Sequence, residues 1–293
     1  MRVLIVGCGY VGLPLGAELV RLGHQVFGLR RSAAEELRAA GITPLRADIT
    51  QLESLEKLTP NFDWVVNCAA SGGGSGDEYR QLYLEGNRNL LTWLAKSPPR
   101  KFVYTSSTSV YAQNDGSEVT EQSPTQPAAA TAQVLVETEK LLLAAARNGF
   151  PALVLRVAGI YGPGRGYAFK QFLSGEARIE GEGARFMNMV HLHDLIGIII
   201  AALEHGRCGE VYNAADNEPV TQLDFYKWLA EELHRPMPSR VAASEEAWRK
   251  RGVTNKRVSN AKLRAELGYQ FKFPDFRAGY AAEIARLGPV NTN

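Results

Sequence analysis

The chain has 293 residues, 45% hydrophobic and 22% charged, a globular composition with room for one large core or a core plus a smaller lobe. Thirty-three basic residues against 31 acidic leave a formal charge of +2, so overall charge makes no case for a nucleic-acid or membrane-surface partner. Cys8, Cys68 and Cys208 are scattered without C-x-x-C spacing, so neither a disulfide framework nor a structural zinc site is expected.

The first half alternates short apolar runs with helical stretches. "RVLIVG" (2–7) predicts a buried strand, 11–22 a helix and "HQVFGLR" (24–30) a second strand. A helix ending at Gly41 and a third strand, "ITPLRADI" (42–49), follow. "FDWVVNCAA" (62–70) predicts a fourth strand, 78–96 an amphipathic helix and "KFVYTSS" (101–107) a fifth strand. Residues 128–147 read as a helix and "ALVLRVAGIYG" (152–162) as a sixth strand. Such alternation predicts an α/β fold, a doubly wound parallel (Rossmann) sheet covered on both faces.

The second half is less regular. "GEVYNAA" (209–215) reads as a strand returning to the sheet, and 221–234 as a helix. The expected organisation is a dinucleotide-binding domain over 1–165, with a returning segment at about 187–219. The remainder of 166–293 forms a smaller, discontinuous substrate lobe. "SGGGSG" (71–76) reads as a flexible loop and "GPVNTN" as a loose tail. The longest apolar stretch, 195–203, is far short of the ~20 residues a spanning helix needs, and the N-terminal apolar run leads into glycines, not a cleavage site. A soluble, cytoplasmic protein is expected.

Directly after the first strand and before a helix stands Gly7-x-Gly9-x-x-Gly12. That context is the dinucleotide fingerprint: Gly7 for a tight turn, Gly9 for close approach of the pyrophosphate, Gly12 for helix–strand packing. The second strand ends in Arg30 and Arg31, where an acidic residue bonds the ribose hydroxyls of NAD. A guanidinium cannot accept a hydroxyl proton but pairs well with a 2′-phosphate, so NADP(H) is expected over NAD(H); the alternative is a solvated arginine pair. Asp48, after the third strand, either meets the adenine or caps the following helix.

These residues resemble an extended short-chain dehydrogenase/reductase, the group of nucleotide-sugar epimerases and dehydratases. "ADIT", "NCAAS", "LEGNRNLL", "TSSTSVYA", "LRVAGIYGPGR", "MVHLHDL", "GEVYNAADNEPVT" and "VSNAKLRAELGY" carry the resemblance along nearly the whole chain. It implies cofactor contacts from Tyr10, Val11, Ile49, Ala69, Ala70, Thr105 and Ser106 beside the glycines and arginines. It also implies catalysis by three groups: a Ser, here Ser107, that bonds the substrate oxygen; a Tyr that exchanges a proton with it; and a Lys four residues on that lowers the Tyr pKa.

The Tyr and Lys are missing. Glu139 matches the Glu usually found four after the Lys, which puts Thr131 and Leu135 at the Tyr and Lys positions. A register shifted by two gives Ala129 and Gln133, and no Tyr lies between Tyr111 and Tyr161. Tyr83 and Gly159 likewise stand where an Asn is common. A threonine hydroxyl does not titrate in the accessible range and leucine supplies no charge, so these positions cannot run the usual proton relay.

Tyr111 is the candidate replacement acid or, alternatively, a packing aromatic. His191 and His193 share a face if their segment is extended; otherwise one is a satisfied core histidine, with Asp194 capping the next helix. Glu137 and Glu139 read as surface or structural residues. Arg165, Lys256 and Arg257 would suit an anionic small-molecule substrate, or are solvated charges. No metal site is expected, and a homodimer is possible on sequence grounds. Two function classes follow: an oxidoreductase or epimerase-like enzyme with a non-standard proton relay, or a redox-silent NADP(H)-binding sensor. A purely structural role is a third.

Overall fold

The computed structural model describes residues 1–32, 35–72, 76–242 and 254–287. The central part of the 71–76 loop and the 288–293 tail lie outside the described residues.

In chain order the first half forms β1 (Arg2–Val6), α1 (Gly12–Arg21), β2 (Gln25–Arg30), α2 (Glu35–Ala39), β3 (Thr43–Arg46), α3 (Leu52–Glu56) and β4 (Trp64–Asn67). Then come α4 (Gly76–Arg80), a π-helical turn (Gln81–Glu85), α5 (Gly86–Leu94), β5 (Lys101–Ser107), a short 3-10 turn (Thr108–Val110) and β6 (Glu118–Val119). α6 (Ala130–Arg147) and β7 (Ala152–Val157) follow. The helix expected over 78–96 is thus interrupted by a π turn.

The main parallel sheet has the order β12-β7-β5-β4-β1-β2-β3, where β12 is Val211–Ala214. β7 and β4 are buried along their whole length, as strands covered on both faces must be. The order reverses between β1 and β4, whose residues Val6 and Asn67 are in register. Such a reversal opens a crevice beyond the carboxyl ends of the strands.

The remaining elements are β8 (Gly159–Tyr161), α7 (Tyr167–Leu173), β9 (Arg178–Glu180), β10 (Phe186–Met187), β11 (Met189–His191) and α8 (Leu192–His205). After β12 come β13 (Val220–Thr221), α9 (Gln222–Glu232), β14 (Ser239–Val241), β15 (Arg257–Val258) and helices at Ala261–Leu267 and Phe276–Leu287. The strand expected over 152–162 breaks after Val157, because β8 turns away to pair with β11.

Two compact units result: residues 1–110, 130–156 and 199–212, and residues 111–129, 157–198 and 213–293. Residues 111–129 and 157–165, assigned by sequence to the first domain, group with the second unit. The first unit's core is the sheet face around Leu4, Val65, Trp93, Phe102 and Leu142. The second unit's core is aromatic, built on Tyr161, Phe172, Phe225, Phe276 and Tyr280. Tyr161 and Tyr280 stack with centroids 4.3 Å apart, an arrangement worth about 0.5–1.5 kcal/mol beyond burial. No helix of the described residues is long and apolar enough to cross a membrane.

Candidate active site

The first unit carries the glycine cradle. Gly7 has φ of +88°, and a Cβ there would lie 2.4 Å from Ala69 Cα, so β1 and β4 can end this close together only around a glycine. A Cβ on Gly12 would lie 2.2 Å from the Gly7 carbonyl oxygen. Gly9 differs: a Cβ there would meet nothing within 4 Å, so the turn faces open space. α1 begins behind it, its N-cap Val11 giving no side-chain hydrogen bond and its first turn holding no acidic residue. The positive end of a helix behind open space suits a pyrophosphate.

At the far end of this crevice Arg30 closes β2, in register with Arg46 at the end of β3. Arg30 lies 3.3 Å from exposed Glu36, and Arg31 4.0 Å from Asp48. Pairs this open are worth about 0–1 kcal/mol and can be exchanged for a stronger anion. A hollow of about 380 Å³ is lined by Arg31, Arg46, Ala47, Asp48, Ser54 and Lys57. Arg46 and Lys57 escape sequence reasoning, because strand register and the α3 packing bring them there. The Asp48 carboxylate accepts from Thr50 N at 3.0 Å and from the Thr50 hydroxyl at 2.8 Å. It therefore fixes the turn before α3, whose N-cap is Gln51 and makes no side-chain bond.

β5 splits its polar residues between its two faces. Thr105 donates to the Asn67 carbonyl at 3.3 Å. The Ser107 hydroxyl accepts from Ser109 N at 3.1 Å, which leaves its own proton for another acceptor. On the opposite face Ser106 is buried and donates to Glu139 Oε1 at 2.6 Å. Arg156 clamps the same carboxylate, its Nη2 2.8 Å from Oε2, with both side chains almost fully buried. The Ser106 side chain thus belongs to a structural network, whatever its backbone does. Glu139 ties α6 to β5 and β7.

On α6, Thr131 is exposed and Leu135 is buried at 3%. Exposed Glu137 pairs with Arg80 of α4 at 2.8 Å. On the π turn, the Tyr83 hydroxyl accepts from Ser71 N at 3.1 Å, and its ring lies 4.2 Å from that of Tyr79. Burial, then the nearby Tyr83, raises the Tyr79 pKa. None of these groups reproduces an activated phenol beside a lysine.

In the second unit Tyr111 is fully buried and donates to Asn213 Oδ1 at 2.7 Å. That bond is what a packing tyrosine needs to satisfy its hydroxyl. His191 is fully buried too, at the end of β11, while His193 already belongs to α8, so the two share no strand face. His191 Nδ1 accepts from His193 N at 3.2 Å, and Nε2 lies 3.4 Å from Glu283. Burial, then the neighbouring His193, pushes the His191 pKa down to about 4, so the ring stays neutral. Asp194, expected to cap its helix, instead accepts from the Tyr269 hydroxyl, Lys272 N and Phe273 N and anchors that loop. Among the described residues no group of three His, Cys, Asp or Glu could hold a metal ion.

Arg165 is exposed on a tight turn closed by the Gly162–Arg165 bridge. Arg257 is exposed, donating to the Gly116 carbonyl and lying over Phe186. Lys256, read from sequence as a surface or cleft charge, is in fact 4% exposed.

Asp216 is another buried carboxyl: Oδ1 accepts from Glu218 N, and Oδ2 has no partner. Burial raises its pKa well above the ordinary value, with Asp275, Glu218 and Asp194 adding to the effect. The folded state therefore holds a proton that the unfolded chain releases above its own carboxyl pKa, and stability falls as pH rises through that window. Asp216→Asn is expected to raise the melting temperature by several degrees at neutral pH. The gain should shrink as pH approaches 4, which thermal melts across this range will show.

The sequence profile described as the NAD dependent epimerase/dehydratase family matches residues 3–215. Protein YeeZ of Escherichia coli (strain K12) is 32% identical over 285 residues, covering 94% of this chain and 97% of that one. A 2-alkyl-3-oxoalkanoate reductase of Stenotrophomonas maltophilia (strain K279a) is 25% identical over 286 residues, covering 91% of this chain and 86% of that one. Among solved structures, UDP-glucuronic acid 4-epimerase from Bacillus cereus, in complex with UDP-glucuronic acid and NAD, superposes with a TM-score of 0.79. At 22% identity, covering 98% of this chain and 100% of that one, it shares the fold.

Proposed function

The chain belongs to the NAD dependent epimerase/dehydratase family, and from that premise we propose that it is an NADP(H)-dependent oxidoreductase or epimerase-type enzyme for a small anionic or sugar-nucleotide substrate. The observation that carries the reading is the cradle at Gly9, open where Gly7 and Gly12 are closed, leading to a cluster of Arg30, Arg31 and Arg46. The backbone N–H groups at the start of α1 would hold the pyrophosphate, and the arginines a 2′-phosphate. The bound cofactor would supply hydride exchange.

Ser107 would donate its free hydroxyl proton to the substrate oxygen and hold it in place. Thr131 and Leu135 on α6 supply no phenol–lysine pair, so the proton would come from water, the substrate itself or Tyr111. Ser107→Ala is then expected to lower kcat about 100-fold, the usual cost of one donor at a developing oxyanion, with NADPH affinity kept. Steady-state assays on the best carbonyl substrate measure it; an unchanged kcat would remove Ser107 from the mechanism.

The Thr131/Leu135 pair specifically favours a second reading, a redox-silent NADP(H) sensor. Titration with NADPH and NADH, followed by NADPH oxidation against carbonyl metabolites and sugar nucleotides, separates the two. Tight binding with no turnover on any of them would favour the sensor. Neither the soluble, cytoplasmic location nor a homodimer is needed for either reading.

A further inference from the structure

Tyr83 sits on the π turn, Gln81–Glu85, in a stretch that is otherwise α-helical. Single π turns inside α-helices recur at functional sites. Here the Tyr83 carbonyl accepts from Asn87 Nδ2 at 2.7 Å. Asn87 Oδ1 accepts from Asn67 Nδ2 at 3.0 Å, and Asn67 Oδ1 from Ala69 N at 3.2 Å. Asn67 and Asn87 are both buried, so this chain of bonds fastens the turn to the carboxyl end of β4.

The side chain is fastened to the same place. The Tyr83 hydroxyl accepts from Ser71 N at 3.1 Å, and Ser71 lies just past the end of β4. Ala69, two residues earlier, is the residue that crowds Gly7 of the cradle. The half-buried phenol is therefore held where β4 runs out beside the glycine turn. β5 is the other neighbour of β4: Asn67 lies opposite Tyr104, and the Thr105 hydroxyl donates to the Asn67 carbonyl at 3.3 Å. Ser107 ends β5, so the serine and the Tyr83 phenol stand at the same ends of adjacent strands.

Two donors meet the Tyr83 oxygen. One is Ser71 N; the other is the Tyr79 phenol, whose ring lies 4.2 Å away. Burial above all, then Tyr83 as neighbour and hydrogen-bond partner, raises the Tyr79 pKa, so Tyr79 keeps its proton and donates. Both lone pairs of the Tyr83 oxygen are then taken, and no described residue accepts its proton. A phenolate left at Tyr83 would find two donors already in place, a service that otherwise needs a cation. The charged side chains of the neighbouring elements are paired elsewhere: Glu139 with Arg156, Glu137 with Arg80, Glu85 with Arg88.

We propose that Tyr83 is the proton donor to the substrate oxygen, with Tyr79 and Ser71 N holding its phenolate and Ser107 bonding the same substrate oxygen. The assignment deepens the oxidoreductase reading above and rests on it for the reaction. On reduction the carbonyl carbon gains a hydride with its electron pair, supplied by bound NADPH. The C–O π pair moves onto oxygen, and that oxygen takes the Tyr83 proton. Water then returns a proton to the phenolate. The Tyr111 proton, by contrast, already goes to Asn213 Oδ1.

The test uses the full chain, with NADPH and NADP+ affinities measured first. The protein is nitrated with tetranitromethane, with and without saturating NADP+, and each tyrosine is followed by mass spectrometry. NADP+ should slow nitration of Tyr83 several-fold and leave that of Tyr167, exposed in the second unit, unchanged. Equal nitration of Tyr83 in both states, including none in either, overturns the proposal. Tyr83→Phe, which keeps the ring, should lower kcat about 100-fold, and Tyr79→Phe about tenfold, the range of one general acid and of its support. KM, NADPH affinity and melting temperature should hold in both, and Tyr167→Phe should change nothing. An unchanged kcat in Tyr83→Phe overturns the donor and leaves the enzyme reading standing. If that variant does not fold, an unchanged kcat in Tyr79→Phe overturns the assignment in its place. NADPH binding by the unaltered chain with no turnover of any substrate strikes the enzyme reading itself, and the donor role with it.

Discussion

Arg156→Leu is expected to destabilise the protein by about 3–5 kcal/mol, the typical cost of stranding one charge of a buried ion pair. The Glu139 carboxylate would keep the Ser106 hydroxyl at 2.6 Å but lose the Arg156 contacts at 2.8, 3.1 and 3.2 Å. Neither side chain reaches solvent, so water cannot replace the guanidinium. Urea unfolding should show a lower midpoint with an unchanged slope. The double variant Glu139→Leu with Arg156→Leu should recover much of the loss, because removing both charges also removes the cost of burying them. If the single and double variants are equally unstable, packing rather than charge carries the network.

Arg30→Asp is expected to weaken NADPH about 100-fold and leave NADH within a few-fold. Two charge-assisted hydrogen bonds at ~1.5–3 kcal/mol each exceed the ~2.8 kcal/mol that a 100-fold change requires, and the new carboxylate repels the 2′-phosphate. An aspartate at the end of β2 can accept from the ribose 2′-hydroxyl, which NADH offers and NADPH, phosphorylated there, does not. Exposed Glu36, 3.3 Å from Arg30, limits the effect only slightly. Fluorescence titration of both cofactors measures the ratio. Equal affinities in the unaltered protein would remove the argument for Arg30.

The glycine turn was legible because its residues act through backbone geometry, which spacing within one short segment discloses. Gly7, Gly9 and Gly12 follow a strand and open a helix in both sequence and structure. Thr131 and Leu135 could be placed on α6 for the same reason: one helix turn fixes their spacing. Arg46 was not legible, since only the register of β2 against β3 sets it opposite Arg30. The burial of Lys256 was not legible, for a related reason. A lysine's sequence neighbourhood does not show that Asn188 and Asn255 will clasp its segment against two distant ones. Asp194 showed the same limit, its cap-like position hiding a bond to a loop some 80 residues on. Contacts of high sequence separation decide these cases, and a linear reading has little purchase on them.

The two units are spliced from alternating pieces, the chain passing from one to the other at 110/111, 129/130, 156/157, 198/199 and 212/213. No single cut yields either one intact. Recombination between genes therefore cannot exchange the second unit as a cassette while retaining the first. A relative with an altered second unit on this plan would instead carry its changes in three separate stretches, 111–129, 157–198 and 213–293, each joined to an unchanged first unit.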